Sequence, residues 1–301
     1  MSSSTIANRI ADLIGPYAEK TNSALSRWLD DKAVPSALTE AMQYVTHNGG
    51  KRLRPALVML SAETVNERDE WIVEPTPAAV AVEMIHCYSL VHDDLPAMDN
   101  DTLRRGKPTC HVKFGEAMAI LVGDALLTKA FEVISRGIPD QPVVKQLVTE
   151  LSSSAGPAGL IAGQVADMAL CDVPQGAERM KYIHMRKTAA LIRCSARMGG
   201  ICAGASEEQL AALGQFGEKI GLAFQITDDL LDVIGLAGTI GKTPGKDAKL
   251  GKTTYANEKN ESETRQLVIE HTEQAIKALE IFGKRADKLR ELAVLLSQRD
   301  R

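Results

Sequence analysis

Aromatic residues are scarce in this chain: five Phe, five Tyr and two Trp, 4% of its 301 residues. Sheet cores lean on aromatic and β-branched side chains, so this shortage, set against plentiful Ala, Leu, Met, Glu, Lys and Gln, favours helix over strand. Cysteine is also sparse. Cys87, Cys110, Cys171, Cys194 and Cys202 are odd in number and show no CxxC spacing. That argues against a disulfide framework or a zinc cluster and fits reduced thiols in a cytoplasm. No run approaches the roughly 18 apolar residues that a membrane span needs. The opening MSSSTIANRIADLIG lacks the basic segment and apolar block of a secretory signal. A large excess of charge of one sign is missing too: a formal net charge of -4 gives no electrostatic reason to expect nucleic acid or an anionic membrane as partner. An anionic ligand must then be held by local basic groups or by metal ions.

What the chain does have is helical periodicity in segment after segment. The pattern predicts helices over 5–31, 36–47, 53–66, 76–98, 112–136, 141–154, 157–170, 176–199, 206–234 and 260–298, with breaks at Pro and Gly clusters and a long polar stretch at 235–259. Gly15-Pro16 is a possible kink in the first helix. Segments 112–134 and 184–204 are apolar over much of their circumference, as helices surrounded by other helices are. The expectation is an all-α fold, residues 1–301 forming one large helical domain.

Two acidic runs stand out: HDDLPAMDNDTLRRGKPT from His92 to Thr109, and QITDDLLD from Gln225 to Asp232. Each places adjacent aspartates at the end of an otherwise apolar helix, and carboxylates there need a compensating partner. Asp228 and Asp232 share a helical face, with Asp229 to one side. Asp93, Asp94 and Asp99 do not align so simply; Pro96 disfavours helix at Leu95, so the chain must bend for Asp99 to rejoin Asp93. Facing helix ends of this kind make a cleft that calls for cations, and Mg²⁺ suits it because it takes one or two carboxylates and fills its shell with water and phosphate. The bland alternative for either run alone is a solvated helix terminus.

Basic residues accompany both runs. GGKRLRP opens a helix with Lys51, Arg52 and Arg54, a natural place for phosphate. Arg104 and Arg105 follow the first acidic run, where they can neutralise it and still meet a phosphate. Lys187 and Thr188 interrupt an apolar helix, and Lys242 and Lys252 lie in GKTPGKDAKLGKT. That segment looks superficially like a Walker loop but fails its spacing and follows no strand.

DDLPAMDND with LRRGKPT, the second DDLLD, GGKRLRP, GQVAD at 163–167, KT at 187–188 and GKT at 251–253 together resemble the trans-prenyl diphosphate synthases, in the family's order and across roughly residues 40–255. The spacing from the aspartate pair to Asp99 is that of bacterial farnesyl and plant-type geranylgeranyl diphosphate synthases; Asn100 stands where many relatives have Asp. The resemblance implies an isoprenoid-synthase helical bundle with a central cavity, and condensation of isopentenyl diphosphate with dimethylallyl and geranyl diphosphate to farnesyl diphosphate. It implies three Mg²⁺ ions, held by Asp93 and Asp99 from one side and Asp228 from the other, with Asp229 and Asp232 acting through bound waters. Asp94 belongs to the same catalytic group. Arg104, Lys187, Lys242 and Lys252 would hold the allylic diphosphate, and Lys51, Arg54, His86 and Arg105 the isopentenyl diphosphate. Thr188 and Gln225 would stabilise an allylic cation by their dipoles. Tyr88, five residues before Asp93, matches the aromatic of farnesyl synthases and would block the tunnel floor, although helical spacing alone puts Ser89 more directly beneath Asp93. A homodimer is the family expectation, with 112–134 at the interface. Rival readings are a geranylgeranyl diphosphate synthase, a non-catalytic subunit of a heteromeric synthase (which typically lacks an intact motif), a terpene cyclase, and a phosphohydrolase prompted by His92-Asp93. The C-terminal Arg299 and Arg301 would fold over the isopentenyl site or be solvated.

Overall fold

The computed structural model describes residues 3–66, 70–171, 176–234 and 260–299. The helices run Ser3–Leu29 (α1), Ser36–Thr46 (α2), Leu53–Val65 (α3), Thr76–Asp93 (α4), Cys110–Phe114 (α5), Glu116–Gly137 (α6), Gln141–Ala155 (α7), Leu160–Asp167 (α8), Ala177–Ile183 (α9), Ala190–Cys202 (α10), Glu207–Ile234 (α11), Glu261–Ala278 (α12) and Asp287–Ser297 (α13). A π-helical turn, His184–Ala189, joins α9 to α10, and a 3₁₀ segment, Glu280–Ala286, joins α12 to α13. The protein is all-α. Its only strands among the described residues are the two-residue pair Leu103–Arg104 (β1) and Lys107–Pro108 (β2), joined antiparallel.

The inner helices are those apolar all round. In α3 and α4 nearly every residue is buried, including Leu57, Leu60, Met84 and Ile85. α4 packs most extensively on α6, α10 on α3 and α11, and α11 on α12. Helix α1 continues past Pro16 as one helix, burying Ile6, Ile10, Ile14 and Tyr17 on the expected face.

Several boundaries differ from the sequence pattern. The predicted 76–98 helix ends at Asp93, because Pro96 disfavours helical backbone at the residue before it. The predicted 112–136 segment is two helices divided at Gly115, 176–199 is broken by the π turn, and 260–298 kinks at Gly283. Helix α10 is enclosed as its apolar circumference demands. Helix α6 is not: Ile120 and Leu121 are 46% and 56% exposed, so one of its faces has no cover among the described residues.

A buried ion pair pins the loop before α3. Arg52, at the N-cap with φ +53°, donates from Nη1 to Glu83 Oε1 on α4 at 2.7 Å, from Nε to Asn22 Oδ1 on α1 at 2.8 Å, and also to the Thr46 carbonyl at the end of α2. Its charge is therefore consumed internally, and the same anchorage fixes where Lys51 and Arg54 start.

Candidate active site

The first acidic wall forms where α4 stops. Beyond Asp93 the chain turns back so that Asp99 N–H donates to Asp93 O at 2.8 Å and Asp101 N–H to Asp94 O at 3.2 Å. Asp99 thus rejoins Asp93, as the position of Pro96 requires. Asp94 points elsewhere. It is buried, and Arg104, from β1, grips it from both Nε, at 3.1 and 3.2 Å, and Nη2. The neutralising role foreseen for Arg104 is thus present, with Asp101 3.8 Å away as a further partner.

The second wall comes from α8, the π turn and α11. Lys187 Nζ donates to Asp167 Oδ2 at 2.8 Å and stands 3.8 Å from Asp93 Oδ2, so a single ammonium links the two walls. Burial alone would lower its pKa; Asp93 and Asp167 outweigh that and raise it, so it stays charged. The lysine backbone is brought in by Gly163 on α8: a Cβ there would sit 2.3 Å from Lys187 N. A π turn, with its wide register, is frequent at functional positions. Next along it, Thr188 Oγ1 donates to Gln225 Oε1 at 2.8 Å, and Gln225 Nε2 donates to Asp229 Oδ1 at 3.1 Å.

These carboxylates fit a hard divalent cation. Burial, reinforced by Asp99 and Asp167 and opposed by Lys187 and Arg104, pushes the Asp93 carboxyl above its usual range, so cationic charge is what this wall needs. Among the described residues no three acid, histidine or cysteine side chains form a ready cage. Mg²⁺ does not require one, since it keeps waters and substrate phosphates as ligands.

A cationic group gathers about two turns back along α4, around His86, which lies seven residues before Asp93 and so on the same helical face. Arg105 donates to the Gly49 carbonyl, and Arg54 has a buried Nε with no hydrogen-bond partner, a donor available to an anionic ligand. His86 belongs here. Burial, reinforced by Arg54, Arg105, Arg104 and Arg52, holds its imidazole well below the usual pKa of 6.5. Between the lowered pKa and 6.5 the unfolded chain binds more protons, so stability present above pH 6.5 drains away as pH falls. Replacing His86 with Gln should flatten the fall of Tm below that pH. An unchanged acid limb in a Tm-against-pH series would refute it.

Tyr88 is buried on α4 with its ring edge-on to His92, centroids 5.9 Å apart; Ser89 bonds back to the His86 carbonyl at 2.9 Å. Asp228, on α11, is met by the C-terminus: Arg299 donates to its Oδ1 at 2.6 Å and to the Phe224 carbonyl at 2.9 Å, and stacks on the Phe224 ring at 3.6 Å. Arg299 is thus buried and not solvated; the second acidic motif draws it in. Lys242, Lys252 and Arg301 lie outside the described residues, as does the side chain of Asp232.

The arrangement so far is two acidic walls linked by a lysine, flanked by arginines, in an all-helical frame. The model of the polyprenyl synthetase family matches residues 35–293. The chain belongs to the polyprenyl synthetase family. Within it, a farnesyl diphosphate synthase of Geobacillus stearothermophilus is 44% identical over 250 residues, 82% of this chain and 83% of the relative. A farnesyl diphosphate synthase of Bacillus subtilis is 39% identical over 300 residues, 98% of this chain and 100% of the relative. Among solved structures, the Helicobacter pylori geranyltransferase complexed with magnesium and isoprenyl diphosphate superposes with a TM-score of 0.79 at 31% identity, covering 94% of this chain and 96% of that one.

Sequence reasoning gave no role to three polyprenyl-synthetase residues that the fold brings into the site. Asp167 closes GQVAD and pairs with Lys187; like the motif aspartates it ends an apolar helix, a signal that was available. Gln164 is buried with neither amide atom hydrogen-bonded. His184 is buried 3.4 Å from Asp229 Oδ2, and only the turn geometry reveals that proximity.

Proposed function

We propose that this polyprenyl synthetase, working as one helical domain, is a farnesyl diphosphate synthase. It couples isopentenyl diphosphate first to dimethylallyl and then to geranyl diphosphate. The observation that carries the reading is Lys187 set between Asp93 and Asp167, with a second, separately built arginine–histidine group about two turns back along α4. Each of the two groups has a place for one polyanion.

Heterolysis of the allylic C–O bond sends the electron pair out with the diphosphate. Lys187 and Arg104 hold that leaving group, assisted by Lys242 and Lys252. Arg54, Arg105, Lys51 and His86 orient isopentenyl diphosphate so that its double bond attacks the allylic carbon. The proton lost in forming the new double bond passes to the released diphosphate. Thr188 and Gln225 turn dipoles toward the cation, and the apolar helices exclude water from it. Asp93, Asp99 and Asp228 would hold three Mg²⁺ ions, with Asp229 and Asp232 reaching them through water; the metal supplies charge neutralisation of the departing diphosphate. Five described cysteines are free, four of them buried, in keeping with a reducing cytoplasm. No described helix is long and apolar enough to cross a membrane. The uncovered Ile120–Leu121 face of α6 supports a homodimer.

Product length tests the reading. Purified protein with Mg²⁺, labelled isopentenyl diphosphate and each allylic primer should stop at farnesyl diphosphate, and Tyr88→Ala, by opening buried space beneath the cation, should yield longer chains. Geranylgeranyl diphosphate from the wild type would overturn the chain-length assignment while keeping the chemistry. No condensation at all would favour a non-catalytic subunit.

A further inference from the structure

Four side chains on two elements form a connected set beside Lys187. His184 and Thr188 lie four apart on the π turn, and Gln225 and Asp229 four apart on α11. Gly221 permits the approach, since a Cβ there would come within 2.7 Å of Ala189 Cα. Thr188 bonds Gln225 at 2.8 Å, Gln225 bonds Asp229 at 3.1 Å, and His184 Nε2 stands 3.4 Å from the other Asp229 oxygen. His184 and Asp229 are buried, whereas Thr188 and Gln225 keep accessible surface. The set is therefore sealed at its inner end and open at its outer end.

Its polarity follows from the donor inventory. An ionised carboxylate only accepts, so Asp229 compels Gln225 to turn its amide NH₂ inward and its carbonyl oxygen toward Thr188. Thr188 must then donate its single proton to Gln225. Its lone pairs, the negative end of the hydroxyl dipole, are left for whatever lies on its open side. With the opposite amide orientation Thr188 would accept from Gln225 and present its proton instead, which would repel a cation.

We propose that Asp229 is a positioning residue that sets this hydrogen-bond direction, so that the Thr188 oxygen faces the allylic cation with its lone pairs. The inference rests on the prenyl-transfer reading above and gives Asp229 a task distinct from holding metal. His184 packs 3.4 Å from the carboxylate, Asp229 orients the amide, and the amide orients the hydroxyl. Neither buried residue touches the substrate.

The experiment is a double-mutant cycle on kcat at saturating Mg²⁺, using Asp229→Asn, Thr188→Val and the pair. Asparagine can donate, which releases Gln225 to turn over. Asp229→Asn should therefore lower kcat about tenfold to hundredfold, with KM for isopentenyl diphosphate unchanged and the loss persisting at saturating Mg²⁺. In the Thr188→Val background the same change should cost nothing further, because the group it acts through is gone. Losses that multiply across the cycle would overturn the proposal. So would a kcat that recovers once Mg²⁺ is raised, which would make Asp229 a metal ligand only. Unaltered kcat in Asp229→Asn would overturn it as well. If Asp229→Asn does not fold, Asp229→Ser, whose hydroxyl can also donate, enters the same cycle with the same expectation. Inactivity of the wild type itself would remove the prenyl-transfer reading first, an outcome distinct from failure of the relay in an active enzyme.

Discussion

Asp93→Asn should lose on the order of a thousandfold in kcat and yet, in EDTA, melt no lower than the wild type and preferably higher. Both halves follow from the surroundings of Asp93. Burial, together with Asp99 and Asp167, raises its pKa above 3.8 against the pull of Lys187 and Arg104. The sign of the linkage is then fixed. Between pH 3.8 and the raised folded value the native state holds more protons than the unfolded chain, so this residue makes stability decline as pH rises through that window. At neutral pH the ionised carboxylate is a net cost to the metal-free fold. Asparagine keeps the shape and removes that cost, and Lys187 keeps Asp167 at 2.8 Å as its partner. What is lost is the charge that draws a cation to the leaving diphosphate. Steady-state kinetics and thermal unfolding with EDTA check the two halves separately. A Tm several degrees below wild type would show that Asp93 is chiefly structural. Near-normal kcat would remove it from the metal set. Strain of this sort, stored at a site and relieved by its ligand, is what a catalytic position shows and a packing position does not.

The elements differ in how readily the sequence discloses them. Long helices with a regular apolar stripe, such as α1 and α7, fall close to where periodicity puts them. The return of Asp99 to Asp93 is legible because one proline restricts one neighbouring residue. The hairpin carrying Arg104 and Arg105 is not, since two residues per strand are too few for any alternation to register. The π turn is hidden for a related reason: over six residues a wider helical period cannot be told from an ordinary one. Its consequences for His184 and Thr188 are hidden with it. Arg299 is opaque for yet another cause, since its partner Asp228 lies 71 residues earlier and nothing local marks the pairing. Glu83 was readable and went unread. A single carboxylate within TPAAVAVEMIHCYSLV demands a buried cation, and GGKRLRP offers one.

That pair supports the other large expectation, a stability loss of about 3–5 kcal/mol for Glu83→Ala. Both side chains are 3% exposed, so neither charge can turn to water when its partner is removed. Arg52 would keep its bonds to Asn22 and to the Thr46 carbonyl, which are dipoles and not counter-charges. Its guanidinium would either remain buried and unneutralised or pull out, taking with it the left-handed residue that starts α3. Lys51 and Arg54 flank that residue, so variant protein that survives should also bind isopentenyl diphosphate more weakly, seen as a raised KM with a smaller change in kcat. Chemical denaturation measures the first effect and initial rates the second. The double replacement Arg52→Met with Glu83→Leu separates charge from shape: it removes both ions and fills similar volume, so it should recover most of the lost stability. It should not restore the KM, because an apolar pair cannot reproduce the bonds from Arg52 to α1 and α2. A loss below about 1 kcal/mol in Glu83→Ala, the scale of an exposed ion pair, would show that water reaches Arg52 and that the loop is not anchored by it.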